Sequence, residues 1–198
     1  MTSSQQIELP GSTMASTTQV PTWKQADAEP FVRIENVTKK FGEFTAVDNI
    51  SLDIYKNELF CLLGGSGSGK STLLRMLAGF ETPTSGTLSL RGRDITRVPA
   101  NRRPTAMVFQ SLALFDHKSV GQNIEFSLKM KGVDREARRA RALELLRLVR
   151  LPEAYYDRAV TQCSGGERQR IAMARALASD PEILFFDEPL SAIDYRLR

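Results

Sequence analysis

With 198 residues, 41% of them hydrophobic and 25% charged, the chain has the composition of a globular protein that can bury a core. No apolar run approaches the roughly 18 residues of a membrane span, and two distant cysteines indicate no disulfide framework, which fits a reducing cytoplasm. The net charge of +4 is mild. It is concentrated between Lys129 and Arg150, a distribution that favours a solvated helix face over an anionic partner surface.

The N-terminal part combines a polar leader with predicted strands. Residues 1–30 are rich in Ser, Thr, Gln and Pro, so we expect a disordered leader, and they lack the basic start and apolar core of a secretory signal. Strands are predicted from Phe31 to Val37 and from Ile50 to Ile54, where apolar and polar residues alternate as in a half-buried antiparallel strand. Phe41 lies between them, and its ring suits either the core, the simpler interpretation, or stacking on a nucleobase.

A glycine-rich stretch that fits G-x-x-x-x-G-K-[ST] is the most informative part of the sequence. The apolar run from Leu59 to Leu63 predicts a buried parallel strand before it, and Leu73, Leu74 and Leu77 predict a helix after it that ends at Gly79. Between a strand and a helix this pattern binds phosphate, because glycines let successive backbone N–H groups point at phosphate oxygens. The alternative is a glycine-rich turn that binds nothing. The candidate residues are Gly64, Gly65, Ser66, Gly67, Ser68, Gly69, Lys70, Ser71 and Thr72.

Two side chains of this loop have specific expected roles. Lys70 is placed to reach the β- and γ-phosphates of a nucleotide, and the Ser71 hydroxyl is placed to ligate Mg²⁺. Further along, Thr105 to Phe109 predicts another buried strand that ends on Gln110. Ligands of open α/β sheets lie at the carboxyl ends of the strands, which makes Gln110 a candidate site residue.

Helical patterns then interrupt the alternation of strands and helices. Val120 to Met130 and Asp134 to Val149 predict helices, with Asp134 as N-cap of the second. We interpret residues from about 111 to 165 as a separate helical subdomain. Ser164 to Glu167 fits an S-x-x-E capping box before another helix, and the exposed N–H groups of such a helix start could equally bind an anion. Both interpretations can hold together.

A second apolar strand, Ile183 to Phe186, ends in two adjacent acids, Asp187 and Glu188. Successive side chains of a strand alternate in direction, so one carboxylate can hold Mg²⁺ while the other addresses a water molecule. As a pair on an exposed turn they would carry little meaning. After a buried strand downstream of a phosphate loop, they indicate nucleotide chemistry.

Taken in order, these motifs resemble the ATP-binding subunit of an ABC transporter over about residues 31–198. The phosphate loop alone would indicate only an NTPase, whereas its combination with the S-G-G-E-R-Q-R run from Ser164 to Arg170 is specific to the ABC class. The resemblance implies an α/β fold of the P-loop NTPase type, with a mixed sheet core, an antiparallel β patch and a helical subdomain. Because the family's switch histidine lies past Arg198, and His117 is not that residue, we expect a domain that is incomplete at its C-terminus.

The resemblance also implies a role for each matching residue, with ATP and Mg²⁺ as ligands. Phe41 would stack on adenine, the phosphate loop through Thr72 is Walker A, and Asp187 and Ser71 would hold Mg²⁺. Gln110 would contact Mg²⁺ and the attacking water, Glu188 would be the catalytic base, and Lys70 would neutralise charge. Ser164, Gly165 and Gly166 would close over the γ-phosphate of ATP held by the other protomer, and Asp194 would lie at the dimer interface.

Several positions depart from the family pattern. Gly65 replaces the usual proline, Cys163 replaces leucine, Glu167 stands where glutamine is common, and Asp116 and Lys118 replace proline and methionine in the segment that meets the membrane partner. Glu167 brings a negative charge near the γ-phosphate site, although a capping-box role would turn it back to the backbone.

The resemblance implies an importer ATPase, because the stretch Val108–His117 looks like that of importers in the polyamine, sulfate, maltose and iron group. The segments most like those of the spermidine/putrescine ATPases are Gly92–Thr96, Arg102–Pro104 and Ser191–Arg198. The implied partners are permease subunits, a second ATPase subunit in a homodimer or pseudo-dimer and, indirectly, a solute-binding protein, but no nucleic acid. The implied location is the cytoplasmic face of the cell membrane. One alternative is a soluble ABC ATPase acting on DNA or the ribosome, against which the absence of sustained heptads argues. Another is a fragment that binds nucleotide without hydrolysing it.

Overall fold

A computed structural model of the chain describes residues 28–188, so most of the predicted leader and Asp194 lie outside the described residues. The elements follow in the order β1 (Val32–Phe41), β2 (Phe44–Ile54), α1 (Lys70–Ala78), β3 (Ser85–Leu90), β4 (Arg93–Asp94), β5 (Thr105–Val108), α2 (Val120–Ile124), α3 (Phe126–Met130), α4 (Arg135–Leu148), α5 (Gly165–Leu177) and β6 (Ile183–Phe186). Short 3₁₀ turns connect several of them.

The N-terminal strands form an antiparallel sheet in the order β2-β1-β3-β4. The hairpin of β1 and β2 pairs Ile34 with Leu52, which confirms the two predicted strands. Ile34 is fully buried, but Ile50 is exposed and Leu52, Asp53 and Ile54 are all partly buried, so this end of β2 does not show the predicted alternation in burial. One face of this sheet packs with α1 through buried Leu73, Met76 and Leu77.

Strands β5 and β6 form a separate parallel pair, as both apolar runs predict. Their register places Val108 opposite Phe186. Continuing that register by two residues brings Gln110 level with Glu188, so the polar residues that follow the two strands emerge at the same edge.

The predicted buried strand from Leu59 to Leu63 is wrong. The structure assigns no strand to these residues, and the side chains of Leu59 and Leu63 are 90% and 94% exposed. A strand needs a hydrogen-bonded neighbour, and within residues 28–188 β5 and β6 pair only with each other. Only Leu62 of this run packs against the core beside α1.

The helical region builds its own core. Asp134 caps α4 by accepting hydrogen bonds from the N–H groups of Glu136 and Ala137, each at 2.9 Å, as predicted. The predicted helix from Val120 to Met130 is broken at Glu125 into α2 and α3. The largest fully buried side chains of this second core are those of Val120, Ile124, Leu145, Leu146, Val160 and Ile171. Its limits as a subdomain of about residues 111–165 remain a prediction.

A small third cluster joins the parallel strands to α5. Val108 of β5 packs with Ala172 and Ala176 of α5, and Leu112 and Phe186 border the group. Alanines on this helix face allow a close approach of helix to strand. The ends of β5 and β6 therefore lie against the helix that begins with the S-G-G-E motif.

Candidate functional site

The glycine loop leads directly into α1, whose first residue is Lys70 and whose N-cap is Gly69. Gly67 and Gly69 have φ values of +78° and +86°, which favour glycine. At Gly69 an added Cβ would lie 2.3 Å from the carbonyl oxygen of Ala46, so the hairpin of β1 and β2 approaches the loop too closely for a side chain. The loop thus presents backbone N–H groups and a helix N-terminus, the arrangement that binds anions.

The ammonium group of Lys70 folds back over this loop. Its Nζ atom donates hydrogen bonds to the carbonyl oxygens of Gly64 and Gly65 at 2.8 and 2.7 Å, and to Ser68 Oγ at 3.3 Å. These contacts hold a positive charge at the loop. Ionised phosphate oxygens accept stronger hydrogen bonds than peptide carbonyls, so a phosphate group would compete for the same donors.

Ser71 connects α1 to the end of β6. Its hydroxyl donates a 2.6 Å hydrogen bond to Oδ1 of Asp187, whose side chain is buried, and the Asp187 N–H donates to the Val108 carbonyl at 3.0 Å. Hydroxyl and carboxylate oxygens side by side are hard ligands of the kind that Mg²⁺ takes in nucleotide sites. The donor set therefore fits the predicted Mg²⁺ site.

Beside this pair, Gln110 meets Glu188. The Gln110 side-chain amide donates to Oε2 of Glu188 at 2.8 Å, at the edge where the register of β5 and β6 brings them level. Asp187 and Glu188 thus contact different partners, which agrees with the expected alternation of side chains along a strand. Glu188 also has a positive φ of 49°.

The S-G-G-E motif starts α5 with a complete capping box. Glu167 accepts from the Ser164 N–H at 2.7 Å, and Ser164 Oγ accepts from the Glu167 N–H at 3.4 Å. The Tyr155 hydroxyl donates to the other carboxylate oxygen of Glu167 at 2.8 Å. The hydrogen bonds from Ser164 and Tyr155 lower the pKa of Glu167. The carboxylate is turned back to the backbone, as predicted, which leaves Gly165 and Gly166 exposed at the helix start.

These hydrogen bonds divide the predicted site residues into two groups. Within residues 28–188, Ser71 with Asp187 and Gln110 with Glu188 meet at the strand ends, while the hydrogen bonds of Ser164 stay in its own helix turn. Phe41 is 48% exposed at the end of β1, so its interpretation as a core residue is wrong. The Lys39 ammonium lies 4.8 Å from the centroid of its ring.

Sequence reasoning missed two arginines that fix the surroundings of the site. Buried Arg103 donates to carbonyl oxygens at the end of α1, namely those of Met76 and Leu77 at 2.7 and 2.8 Å, and burial lowers its pKa. Arg175 of α5 donates to the loop that follows Gln110. The signal for Arg175 was a single cation among the alanines of α5; Arg103 had no distinct signal among its neighbouring arginines.

No helix among residues 28–188 is long and apolar enough to cross a membrane.

Among solved structures, the dimeric ATP-binding cassette MJ0796 in a post-hydrolysis state with ADP and Pi matches with a TM-score of 0.72 and 34% identity, over 83% of this chain and 77% of that one. A second structure of the MJ0796 dimer, titled a bacterial ABC transporter cassette, matches with a TM-score of 0.72 and 33% identity, over the same shares of the two chains.

Two curated relatives are about half identical to this chain in sequence. The spermidine/putrescine import ATP-binding protein PotA of Pseudomonas aeruginosa is 55% identical over 169 residues, 85% of this chain and 46% of that protein. The Fe(3+) ions import ATP-binding protein FbpC of Escherichia coli is 49% identical, over 85% of this chain and 48% of that protein. The chain thus spans about half the length of the curated relatives it matches. The model of the ABC transporter family matches residues 47–191, from β2 past the two acids that follow β6, and with these relatives it makes the chain a member of that family.

Proposed function

We propose that this chain binds MgATP and hydrolyses it as the ATP-binding subunit of an ABC importer. The observation that carries the proposal is the 2.6 Å hydrogen bond from Ser71 to buried Asp187. It joins the first turn of α1 to the end of β6, which supports a single site for the predicted phosphate-binding and metal-binding residues. Family membership and the ADP and Pi bound in a related cassette also support ATP binding and hydrolysis.

Phosphate binding falls to the loop from Gly64 to Thr72. Its N–H groups and the α1 N-terminus attract the phosphates, and the Lys70 ammonium transfers its donors from the loop carbonyls to phosphate oxygens. The exposed Phe41 ring offers a face for adenine, as the family pattern implies. Ser71 and Asp187 would hold Mg²⁺, which would supply positive charge to neutralise the phosphates.

Hydrolysis needs a water molecule held in line with the γ-phosphate. Glu188 is the residue that accepts a proton from this water, and Gln110, which donates to Glu188 at 2.8 Å, orients the pair. Asp187, committed to Ser71, serves the metal instead. The division of roles follows from their different partners.

A second ATPase subunit, in a homodimer or pseudo-dimer, would complete the site. Ser164, Gly165 and Gly166 lie at the start of α5, where exposed N–H groups suit an anion. Their hydrogen bonds stay local, so they are available to the γ-phosphate held by a partner protomer. The dimeric state of the related cassettes supports this arrangement.

The solute we propose is a polyamine. Several relatives at about half identity are named for spermidine or putrescine import, while others are named for Fe(3+) import. The chain would then act at the cytoplasmic face of the membrane with permease subunits and a solute-binding protein. Uptake of labelled putrescine and of labelled Fe³⁺ by cells that carry or lack the gene distinguishes these solutes.

Nucleotide binding is tested first, with Lys70→Ala. Losing a charge-assisted phosphate contact costs about 2–3 kcal/mol, so affinity for a fluorescent ATP analogue should fall at least about 30-fold. The matched control is Lys56→Ala, at an exposed position in the turn after β2. Equal affinities in both variants would contradict the phosphate-loop assignment.

A further inference from the structure

The chain leaves β5 through a strained turn. Two successive residues, Leu112 and Ala113, have φ values of +61° and +48°. This left-handed region is unfavourable for residues with a Cβ atom, and Leu and Ala lack the short polar side chains that compensate for it. Such a conformation persists only where neighbouring contacts hold it.

Arg175 of α5 supplies these contacts. Its Nη1 and Nη2 atoms donate hydrogen bonds to the carbonyl oxygens of Ala113 and Leu112 at 2.7 and 2.9 Å, and its guanidinium lies 5.6 Å from the centroid of the Phe115 ring. Burial lowers the pKa of Arg175, but arginine stays protonated at neutral pH. Both bonds are therefore charge-assisted, and the planar fork that makes them has no equivalent in lysine.

Other contacts secure the same turn to α5. The Leu112 side chain packs against the cluster of Val108, Ala172 and Ala176. Asp116 accepts a hydrogen bond from Arg168 at 2.9 Å, but both side chains are substantially exposed, and such pairs contribute little. The main polar tie between the turn and α5 is thus the fork of Arg175.

The turn begins directly beside Gln110. The Leu112 N–H donates to the Phe109 carbonyl at 2.9 Å, which closes the backbone around Gln110. The Gln110 amide in turn donates to Glu188. The direction of the Gln110 side chain therefore depends on a turn that Arg175 holds.

We propose that Arg175 is a positioning residue: it holds the strained turn after Gln110 against α5, so that Gln110 meets Glu188, and it ties this contact to the helix that begins with the S-G-G-E motif. Its effect on turnover rests on the proposed ATPase function. The hydrogen bonds from Arg175 to the turn are a property of the fold, and their effect is measured independently of hydrolysis.

The first test, in the full chain, replaces the guanidinium of Arg175 with an ammonium group and so keeps the charge. Arg175→Lys should speed amide hydrogen exchange of residues 110–116 by about tenfold or more, because the turn opens locally. It should lower kcat about 10- to 100-fold while KM and the MgATP affinity stay unchanged, since only catalytic geometry is disturbed. The matched control, Arg135→Lys at an exposed position in the first turn of α4, should change none of these.

The second test is a rescue. Glycine adopts positive φ without a steric penalty, so Ala113→Gly in the Arg175→Lys background should hold the turn at lower cost and restore much of the lost kcat. Ala113 is exposed, so the change removes no core packing. A general packing defect around Arg175 would not respond to a glycine in the neighbouring loop.

Each outcome decides the inference. Unchanged exchange and kcat in Arg175→Lys would overturn it, and so would a loss of MgATP affinity or melting temperature that Ala113→Gly leaves unrepaired. If the unsubstituted chain binds MgATP without turnover, the proposed ATPase function fails. The amide hydrogen exchange of residues 110–116 then tests by itself whether Arg175 holds the turn.

Discussion

At the scale of single residues, we expect different roles for the two acids after β6, because their side chains have different hydrogen-bond partners. Asp187 is buried and accepts from Ser71, whereas Glu188 accepts from the Gln110 amide. A metal ligand and a catalytic base respond differently to loss of charge. Substitutions that keep shape and remove charge separate the two roles.

Glu188→Gln should keep MgATP affinity and lower turnover by about 100-fold or more, because the amide cannot accept the proton from water. The Gln110 contact survives, since the new side chain still offers an acceptor oxygen. Phosphate release and titration with a fluorescent ATP analogue measure the two effects. Glu43→Gln, at an exposed position in the first hairpin, is the control. A matching loss of affinity would show that the roles of Asp187 and Glu188 are misassigned.

Asp187→Asn should remove the benefit of Mg²⁺ instead. The amide oxygen still accepts from Ser71, so the fold is kept, but a neutral ligand holds the divalent ion more weakly. The ratio of ATP affinities with and without Mg²⁺ should fall toward one. A ratio equal to that of the unsubstituted chain would contradict a metal-binding role for Asp187.

Motif spacing predicted Ser71, Asp187, Gln110 and Glu188 as site residues, because each position is defined by a strand end or a helix start. It did not predict the supports Arg103 and Arg175. Their partners are backbone carbonyls far away in sequence, such as Met76 and Leu112, and every residue carries such a carbonyl. No residue type at the acceptor position marks the contact.

At the scale of elements, the charge of Glu167 stabilises the start of α5. Hydrogen bonds from Ser164 and Tyr155 lower the pKa of Glu167 in the folded state. Its stabilising contribution is therefore complete above the unfolded-state pKa of about 4.3 and is lost as pH falls through the lower folded-state value. Glu167→Gln keeps an acceptor for the Ser164 N–H without a charge. Its melting temperature should decline less between pH 6 and pH 3, and identical slopes for the two chains would contradict this.

The C-terminal end of α1 depends on one buried guanidinium. Arg103 donates to the carbonyls of Met76, Leu77, Ile95 and Val98 at 2.6–2.8 Å. Arg103→Met leaves these acceptors without that donor at a cost of about 3 kcal/mol or more. Urea unfolding should show this loss, while the exposed neighbour in Arg102→Met should change stability by less than about 0.5 kcal/mol. Equal midpoints for the two variants would contradict the role.

Elements were predictable where their own residues decide them. The cap at Asp134 and the capping box at Ser164 are local, and both are confirmed. The run from Leu59 to Leu63 is apolar enough for a buried strand, but strand formation depends on a neighbour, which the run itself does not encode. Composition therefore predicted the wrong state there.

At the scale of the whole molecule, two hydrophobic cores are connected through the parallel strands, whose Met107 and Phe185 belong to the core on α1. One packs the antiparallel sheet on α1, the other packs α2, α4 and α5, and the small cluster around Val108 and Ala172 links α5 to the parallel strands. The helix that begins with the S-G-G-E motif is thus packed directly against the parallel strands. The sequence predicted these helices and strands, but the connection between their cores follows from long-range packing.

The surface around Asp116 is where this molecule should meet its membrane partner. Asp116 is exposed and pairs with Arg168 of α5, and an exposed pair contributes about 0–1 kcal/mol. Asp116→Lys should therefore leave stability and ATP turnover in solution nearly unchanged. It should weaken co-purification with the permease subunits, because it reverses a charge on the proposed contact surface. Asp116→Asn, which removes the ion pair without reversing charge, separates docking from the Arg168 contact. Lost turnover with intact assembly in Asp116→Lys would contradict a docking role.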